Sequence, residues 1–329
     1  MASLSGRLKA VAKMRAIKAA MWVLAGLGTA TLVAVAGLAL TFIPAKLDLP
    51  AVDVGDLPPA SPPAGMSISA LPTGTYGSPA ALTYRGGSWS DVRHLAATAI
   101  LVRHPKGDLL IDTGFGRNID DHMRLIPPMQ RTPQIKGLPA IDQLAAGGVH
   151  PGDIAAIIPT HSHWDHISGV DDFHGVPVME TAAGRHWINS KPKGSEVINS
   201  FRDINYKSYE FDGGPYLGFP RSHDLFGDGS VVIVPASAHT PDSVIVFVSL
   251  PSGDRYALVG DLVFQMEGIE IPAEKPWLLR WLIGENAIEM HRDIALVRAI
   301  REKFPQVHLV PAHDSLSFGT IPVFPASAP

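Results

Sequence analysis

The chain reads as an α/β or α+β sandwich of roughly 260 residues, preceded by one membrane-spanning helix. Three observations predict this. Short apolar runs alternate with Gly/Pro turns and a few helical stretches from residue 67 to the C-terminus. Several of those runs end in a His or Asp. Ahead of them lies a 25-residue run, Ala19 to Ile43, without a charge.

The N-terminal elements divide into three. Residues 1–18 carry Arg7, Lys9, Lys13, Arg15 and Lys18 and no acid. Residues 19–43 are long enough to cross a hydrocarbon core with some tilt. Basic residues before this span, and Asp48, Asp53 and Asp56 after it, predict a cytoplasmic N-terminus and an extracytoplasmic remainder. Ala34-Val35-Ala36 offers the alternative of signal-peptide cleavage and a periplasmic or secreted product. The run exceeds the usual signal-peptide core, which favours an uncleaved anchor. Residues 44–66, rich in Pro, Ala and Asp, read as an extended linker lifting the following domain off the bilayer. Residues 67–329 form that domain. The absence of Cys is compatible with an oxidising compartment.

Within the domain, strands are expected at 97–103, 108–112, 154–159, 231–235, 244–249, 256–260 and 307–311. Helices are expected just after Asp165, near 181–189 and at 285–304. The run Ile154–Pro159 leads directly into Thr160-His161-Ser162-His163-Trp164-Asp165-His166. His161 and His163, two apart in an extended loop, project to one side. Asp165 and His166 follow one turn later and can face a neighbouring position. Imidazole nitrogen and carboxylate oxygen are the donors that zinc and similar divalent ions accept. Clustered imidazoles gain little without a cation, so four such side chains in six positions point to metal. The same pattern recurs where 231–235 leads to His239, 256–259 to Asp261, and 307–311 to His313. Rigid scaffolds commonly present ligands on loops at strand ends.

At these residues the sequence resembles the metallo-β-lactamase-fold hydrolases. The signature His-x-His-x-Asp-His is His161, His163, Asp165 and His166, and the later His, Asp and His match His239, Asp261 and His313. An Asp-Thr-Gly after an early strand is Asp112-Thr113-Gly114. The resemblance implies an αββα sandwich with a two-metal centre at one edge. It implies His161, His163 and His239 on one ion, Asp165, His166 and His313 on the other, and Asp261 between them. Asp112 then orients a ligand histidine from behind.

Such a centre makes hydroxide available near neutral pH and polarises a carbonyl or phosphoryl oxygen. Asp165 and Asp261 are the candidate catalytic residues, as proton relays to the leaving group. The donor set is all nitrogen and oxygen, so zinc is expected and iron or manganese also suits it. Net charge is −4 and no basic run lies outside the N-terminus, which disfavours nucleic acid and favours a small-molecule substrate. The spacing of 73, 22 and 52 residues from His166 to His239, Asp261 and His313 resembles the N-acyl homoserine lactonase branch. So does Pro311-Ala312-His313-Asp314. A lactone is therefore the first expectation; a thioester of the glyoxalase II type or a phosphodiester is the alternative. The stretch after Asp314 lacks the basic residues of glyoxalase II relatives. An oxidoreductase of the flavodiiron kind is disfavoured by the absence of a flavin domain.

Those lactonases commonly place a Tyr three residues past the bridging Asp, its hydroxyl meeting the substrate carbonyl; this chain has Phe264. Phe264 and Tyr216 are the candidate pocket residues. Tyr216 belongs to an aromatic, Gly-rich stretch, 199–226, that reads equally as pocket wall or as an ordinary surface loop. Residues 276–283, Pro-Trp-Leu-Leu-Arg-Trp-Leu-Ile, fit an acyl-chain groove, a membrane contact or core, with core the expectation.

Overall fold

The computed structural model describes residues 4–329. The first three residues of the expected basic segment lie outside the described residues. Two compact units are present, Met1–Ile43 and Pro44–Pro329. The first is a single helix, Leu4–Leu40, and its stretch Arg7–Leu40 is long and apolar enough to cross a membrane. Its threonine hydroxyls are turned back onto the helix, Thr29 to the Ala25 carbonyl at 3.0 Å and Thr31 to that of Leu27 at 2.9 Å. Their polarity is thereby hidden.

The second unit is built on two sheets. The larger contains β1 (Ser67–Pro79), β2 (Val92–Arg103), β3 (Asp108–Ile111), β4 (Gln134–Lys136), β5 (Ile154–Ile158), β6 (Val178–Thr181) and β7 (Tyr206–Tyr209), in the order β4-β1-β2-β3-β5-β6-β7. The smaller contains β8 (His223–Asp224), β9 (Val231–Pro235), β10 (Val244–Ser249), β11 (Arg255–Gly260) and β12 (Val307–Pro311), in the order β12-β11-β10-β9-β8.

Strand periodicity explains how the sheets stack. Successive side chains face opposite sides. Val231 and Ile233 of β9 join Ile68, Ile100, Ile111 and Ile158 in a core between the sheets. Val232 and Val234 face the other way and meet Met290, Ile294, Val297 and Ile300 of the helix Ala287–Lys303. On the outer side of the larger sheet, Leu101, Leu110 and Ile157 pack against Ile119, Met123, Ile141 and Leu144 from the helices Ile119–Leu125 and Ala140–Ala146. The layers therefore run helix, sheet, sheet, helix.

The expected strands and helices form within a few residues of their expected bounds. The sequence reading omitted β1, because Pro72, Gly74, Gly77 and Pro79 punctuate it. It is held by long-range pairing with β2 along its whole length, with a bulge between Pro72 and Gly74.

The reading of 44–66 as a spacer is corrected. The segment has no regular helix or strand, yet it is docked along the domain. Val54 is buried, and Leu47, Leu49, Val52 and Leu57 pack against the outer core of the smaller sheet. The backbone is tied at Leu47 N–H to Pro272 O (2.9 Å) and Ser61 N–H to Asp228 O (2.8 Å). Leucines and valines two apart on an extended chain present one apolar edge, which outweighs the polar composition of the rest.

Candidate metal centre

The seven ligand-type side chains sit where strands of both sheets end. β5 delivers His161 and His163, and the short helix Trp164–Ile167 carries Asp165 and His166 in its only turn. The ends of β9, β11 and β12 deliver His239, Asp261 and His313. The two sheets approach closely here. Gly260 has φ +54, and a Cβ on it would lie 3.1 Å from Thr160 Cβ. Glycine is the residue that tolerates both the backbone angle and the contact.

The side chains fall into two groups, His161, His163, His239 and Asp261, and Asp165, His166 and His313. In the first, His163 Nδ1 lies 2.9 Å from His161 Nε2 and 3.0 Å from His239 Nε2. One proton on His163 satisfies only one of those neighbours, whereas a cation satisfies all three. Asp261 divides its carboxylate between the groups. Oδ2 is 3.7 Å from His161 Nε2 and 3.5 Å from His239 Nε2. Oδ1 is 3.3 Å from His166 Nε2 and 2.9 Å from His313 Nε2. Asp165 Oδ2 stands 3.4 Å from His313 Nε2.

Residues behind these side chains set which nitrogen faces inward. His166 Nδ1 donates to Asp112 Oδ2 at 2.8 Å, as expected for Asp112. Asp112 is itself fixed by the Thr160 N–H (2.6 Å) and hydroxyl (2.8 Å), in a left-handed backbone conformation, φ +53. His313 Nδ1 donates to the Ala96 carbonyl at 2.8 Å. His239 Nδ1 donates to Glu285 Oε1 at 2.6 Å, and Lys275 Nζ lies 2.6 Å from the same oxygen. With Nδ1 committed outward, each ring turns Nε2 toward carboxylate oxygens, and in the neutral ring acceptor there faces acceptor. His166 Nε2 and Asp261 Oδ1 are buried without a hydrogen-bond partner among the described residues. Those orphaned buried atoms and the donor set around them fit a divalent metal.

Burial and mutual repulsion shift the ring pKa values. Burial, then the His166 charge, holds His161 well below the usual imidazole range; burial, then His239, does the same to His163. Burial would also lower His166, but Asp112 and Asp261 outweigh it and raise that ring. Burial would raise Asp261, yet His313, His166 and His161 hold it well below the usual carboxylate range.

Sequence reasoning missed three residues here: Glu285, Lys275 and Tyr76. Tyr76 arrives from β1, and its hydroxyl donates to Asp165 Oδ2 at 2.7 Å and lies 3.3 Å from His313 Nε2. Burial, then Asp165 and Asp261, raises its pKa well above the ordinary phenol value, so it stays a donor. A Tyr inside a Gly/Pro-punctuated stretch gave no signal of this. Phe264 does stand at the centre, its ring 5.2 Å from that of His313. Half-buried His163, Trp164 and Phe264 mark where the site opens.

Tyr216 does not join them. Its ring lies 5.1 Å from Phe247 in the outer core of the smaller sheet, covered by the turn it forms with Phe219. It is a packing residue, and the aromatics of 199–226 are largely consumed the same way, in β7, β8 and their neighbours. The expectation of core for 276–283 is also overturned. The helix Trp277–Ile283 buries Arg280 and exposes Trp277 and Trp281, because Arg280 is drawn inward by Glu274 and Glu285. A cavity of about 710 Å³ lined by Arg93, Gln265, Glu270 and Asp314 contains none of the seven ligand-type side chains.

The sequence model of the metallo-beta-lactamase superfamily matches residues 92–312. The chain belongs to that superfamily. It is 27% identical over 243 residues to a probable metallo-hydrolase of Mycobacterium tuberculosis, covering 67% of this chain and 75% of that one. It is 22% identical over 226 residues to the N-acyl homoserine lactonase AttM of Rhizobium johnstonii, covering 67% and 82%. Among solved structures, an N-acyl homoserine lactone hydrolase with N-hexanoyl-L-homoserine at its catalytic metal centre superposes with a TM-score of 0.63 at 16% identity, covering 80% of this chain and 98% of that one. A quorum-quenching N-acyl homoserine lactone hydrolase superposes with a TM-score of 0.62 at 17% identity, covering 83% and 100%. These structural likenesses establish the mixed α/β metallo-beta-lactamase fold. As a superfamily member, the protein is a metal-dependent hydrolase.

Proposed function

We propose that the domain 67–329 is a dinuclear metallohydrolase that opens a small ester-like substrate, a lactone first. The observation carrying this reading is the division of the Asp261 carboxylate, one oxygen toward His161 and His239, the other toward His166 and His313. A carboxylate set between two donor groups suits two cations sharing one ligand. Zinc is the default, with iron or manganese compatible with the same donors. Held by those side chains, such a pair would supply an activated water near neutral pH and Lewis-acid polarisation of a carbonyl.

The chain's own residues do the rest. Asp112, Glu285 and the Ala96 carbonyl hold three imidazoles in one tautomer and one orientation. Tyr76 supplies the hydroxyl that position 264 lacks: its ring lies 5.6 Å from His313, on which Phe264 also packs. Its O–H is available to the substrate oxygen once released from Asp165. Asp165 takes up at Oδ2 the proton that the attacking water gives up and passes it to the alkoxide released when the ester C–O bond breaks, with Asp261 the alternative carrier.

His161→Ala and Asp261→Ala test the reading: both are expected to lose bound metal and turnover while the domain still folds. Unchanged hydrolysis in both would sink it. A panel of acyl-homoserine lactones, S-lactoylglutathione and bis(p-nitrophenyl) phosphate decides the bond cleaved. Activity confined to the thioester or the phosphodiester would replace the lactone assignment.

The helix of residues 19–43 is read as an uncleaved anchor, with the basic end cytoplasmic and the catalytic domain extracytoplasmic. Its length and apolar composition support this. Membrane fractionation with N-terminal sequencing distinguishes it from cleavage near residues 34–36.

A further inference from the structure

The helix Trp277–Ile283 is inside out for a soluble protein. Its one charge, Arg280, is buried against Glu274 and Glu285, while Trp281 is 76% exposed and Trp277 48%. The two indoles are four apart and share a helix face. Leu278 and Leu282 beside them are only partly buried. An apolar patch rimmed by polar groups is an interaction surface by default.

Chain connectivity says what covers it. Pro44 is the first residue of the domain unit and is bonded to Ile43, which closes the apolar run. Within the domain, Pro44 packs beside Gly86, where an added Cβ would lie 3.0 Å from Pro44 Cβ. The next residue back, Arg85, places its guanidinium 4.2 Å over the Trp277 ring and donates its N–H to the Glu274 carbonyl at 2.9 Å. Trp89, three residues beyond Gly86, is 57% exposed. Pro44, the residue that follows the apolar run in sequence, and the tryptophan-bearing helix are thus neighbours on the domain. Tryptophan is the residue that prefers the headgroup level of a bilayer.

We propose that the helix Trp277–Ile283, with the turn around Gly86, rests in the lipid interface, the indoles of Trp277 and Trp281 seated among headgroups and upper acyl chains. This rests on reading residues 19–43 as a membrane span. A surface helix seated so reaches roughly 5–10 Å into the headgroup and acyl boundary. The same helix borders the metal centre through Glu285, which contacts both Arg280 and His239. Lipid contact and catalysis are therefore adjacent.

The test uses the full chain in phosphatidylcholine–phosphatidylglycerol nanodiscs whose lipids are brominated either high on the acyl chain or near the bilayer centre. Trp22 stands three residues into the 19–43 run and so near headgroup level, which is why every protein tested carries Trp22→Phe and retention of the chain in the nanodisc reports on the span. Trp281, for which no hydrogen bond occurs among the described residues, reports on the patch. High bromines are expected to quench the Trp22→Phe protein, and adding Trp281→Phe is expected to lose a clear share of that quenching. Adding Trp277→Phe as well should lose more. Thermal melting confirms that the variants fold. Quenching that is unchanged by both additions, while the chain stays in the nanodisc, would overturn the patch and leave the span standing. A chain that does not enter the nanodisc would overturn both. Indoles shielded from aqueous acrylamide but not quenched by lipid would mean that a second copy covers the face, which also overturns the proposal.

Discussion

Glu285 Oε1 lies 2.6 Å from His239 Nδ1 and 2.6 Å from Lys275 Nζ. A histidine, a carboxylate and an ammonium thus form one buried chain behind the candidate metal centre, and Lys275 also donates to the Asp261 carbonyl at 2.6 Å. Burial would raise the Glu285 carboxyl, but Lys275 and His239 hold it below the usual range, so it stays an acceptor.

Glu285→Gln is therefore expected to weaken metal affinity by about 10–100-fold, as changes behind a ligand histidine generally do. Competition with a graded chelator, read as metal content, measures it. Affinity equal to wild type would mean that His239 needs no orienting partner.

Tyr76→Phe is expected to lower kcat by about 10²-fold with metal content unchanged, the scale of losing one donor to a developing oxyanion. Adding Phe264→Tyr should restore part of the loss, because both rings flank His313. Steady-state kinetics on the preferred substrate, separating kcat from KM, checks both variants.

Glu274 accepts from Arg85 (3.2 Å), Trp277 (2.6 Å), His291 (2.9 Å) and Arg280. Replacing it by Gln removes the carboxylate that the buried Arg85 and Arg280 share and leaves Arg280 to Glu285 alone. The expected destabilisation is about 3–5 kcal/mol, the usual result of breaking a buried pair from one side. Denaturant unfolding at fixed metal concentration reads it.

Asp293 on the helix Ala287–Lys303 is buried, and burial raises its pKa from 3.8 to about 6 despite the adjoining Arg292. A carboxyl raised in the folded state contributes stability that is complete below its unfolded value. That contribution is lost as pH climbs through 6. Asp293→Asn removes the titration, so the variant should gain on wild type by on the order of 2 kcal/mol between pH 4 and pH 7. Thermal unfolding across that range tests it; parallel curves would show that Asp293 does not titrate there.

Much of the fold was legible because its signals are local. Runs such as 231–235 and 244–249 are short and apolar and became the strands expected of them. β1 was not legible, since its Pro and Gly residues mask a strand that exists through its pairing with β2. The segment 44–66 misled in the other direction: its composition suggested a free spacer, while five apolar side chains fasten it to the domain.

By itself the sequence picked out seven ligand-type side chains, His and Asp residues that follow the ends of strands, and an N-terminal helix apolar enough for a bilayer. Residue type and strand periodicity are properties of a few consecutive positions, so they need no fold to be read. Only the tertiary structure decided that Tyr76 meets Asp165 across 89 residues, that Glu285 backs His239 across 46, that Tyr216 packs in the core, and that Trp281 faces outward. Each depends on which surfaces stack and which buried charges find partners. That balance of desolvation against pairing is settled between segments far apart in the chain.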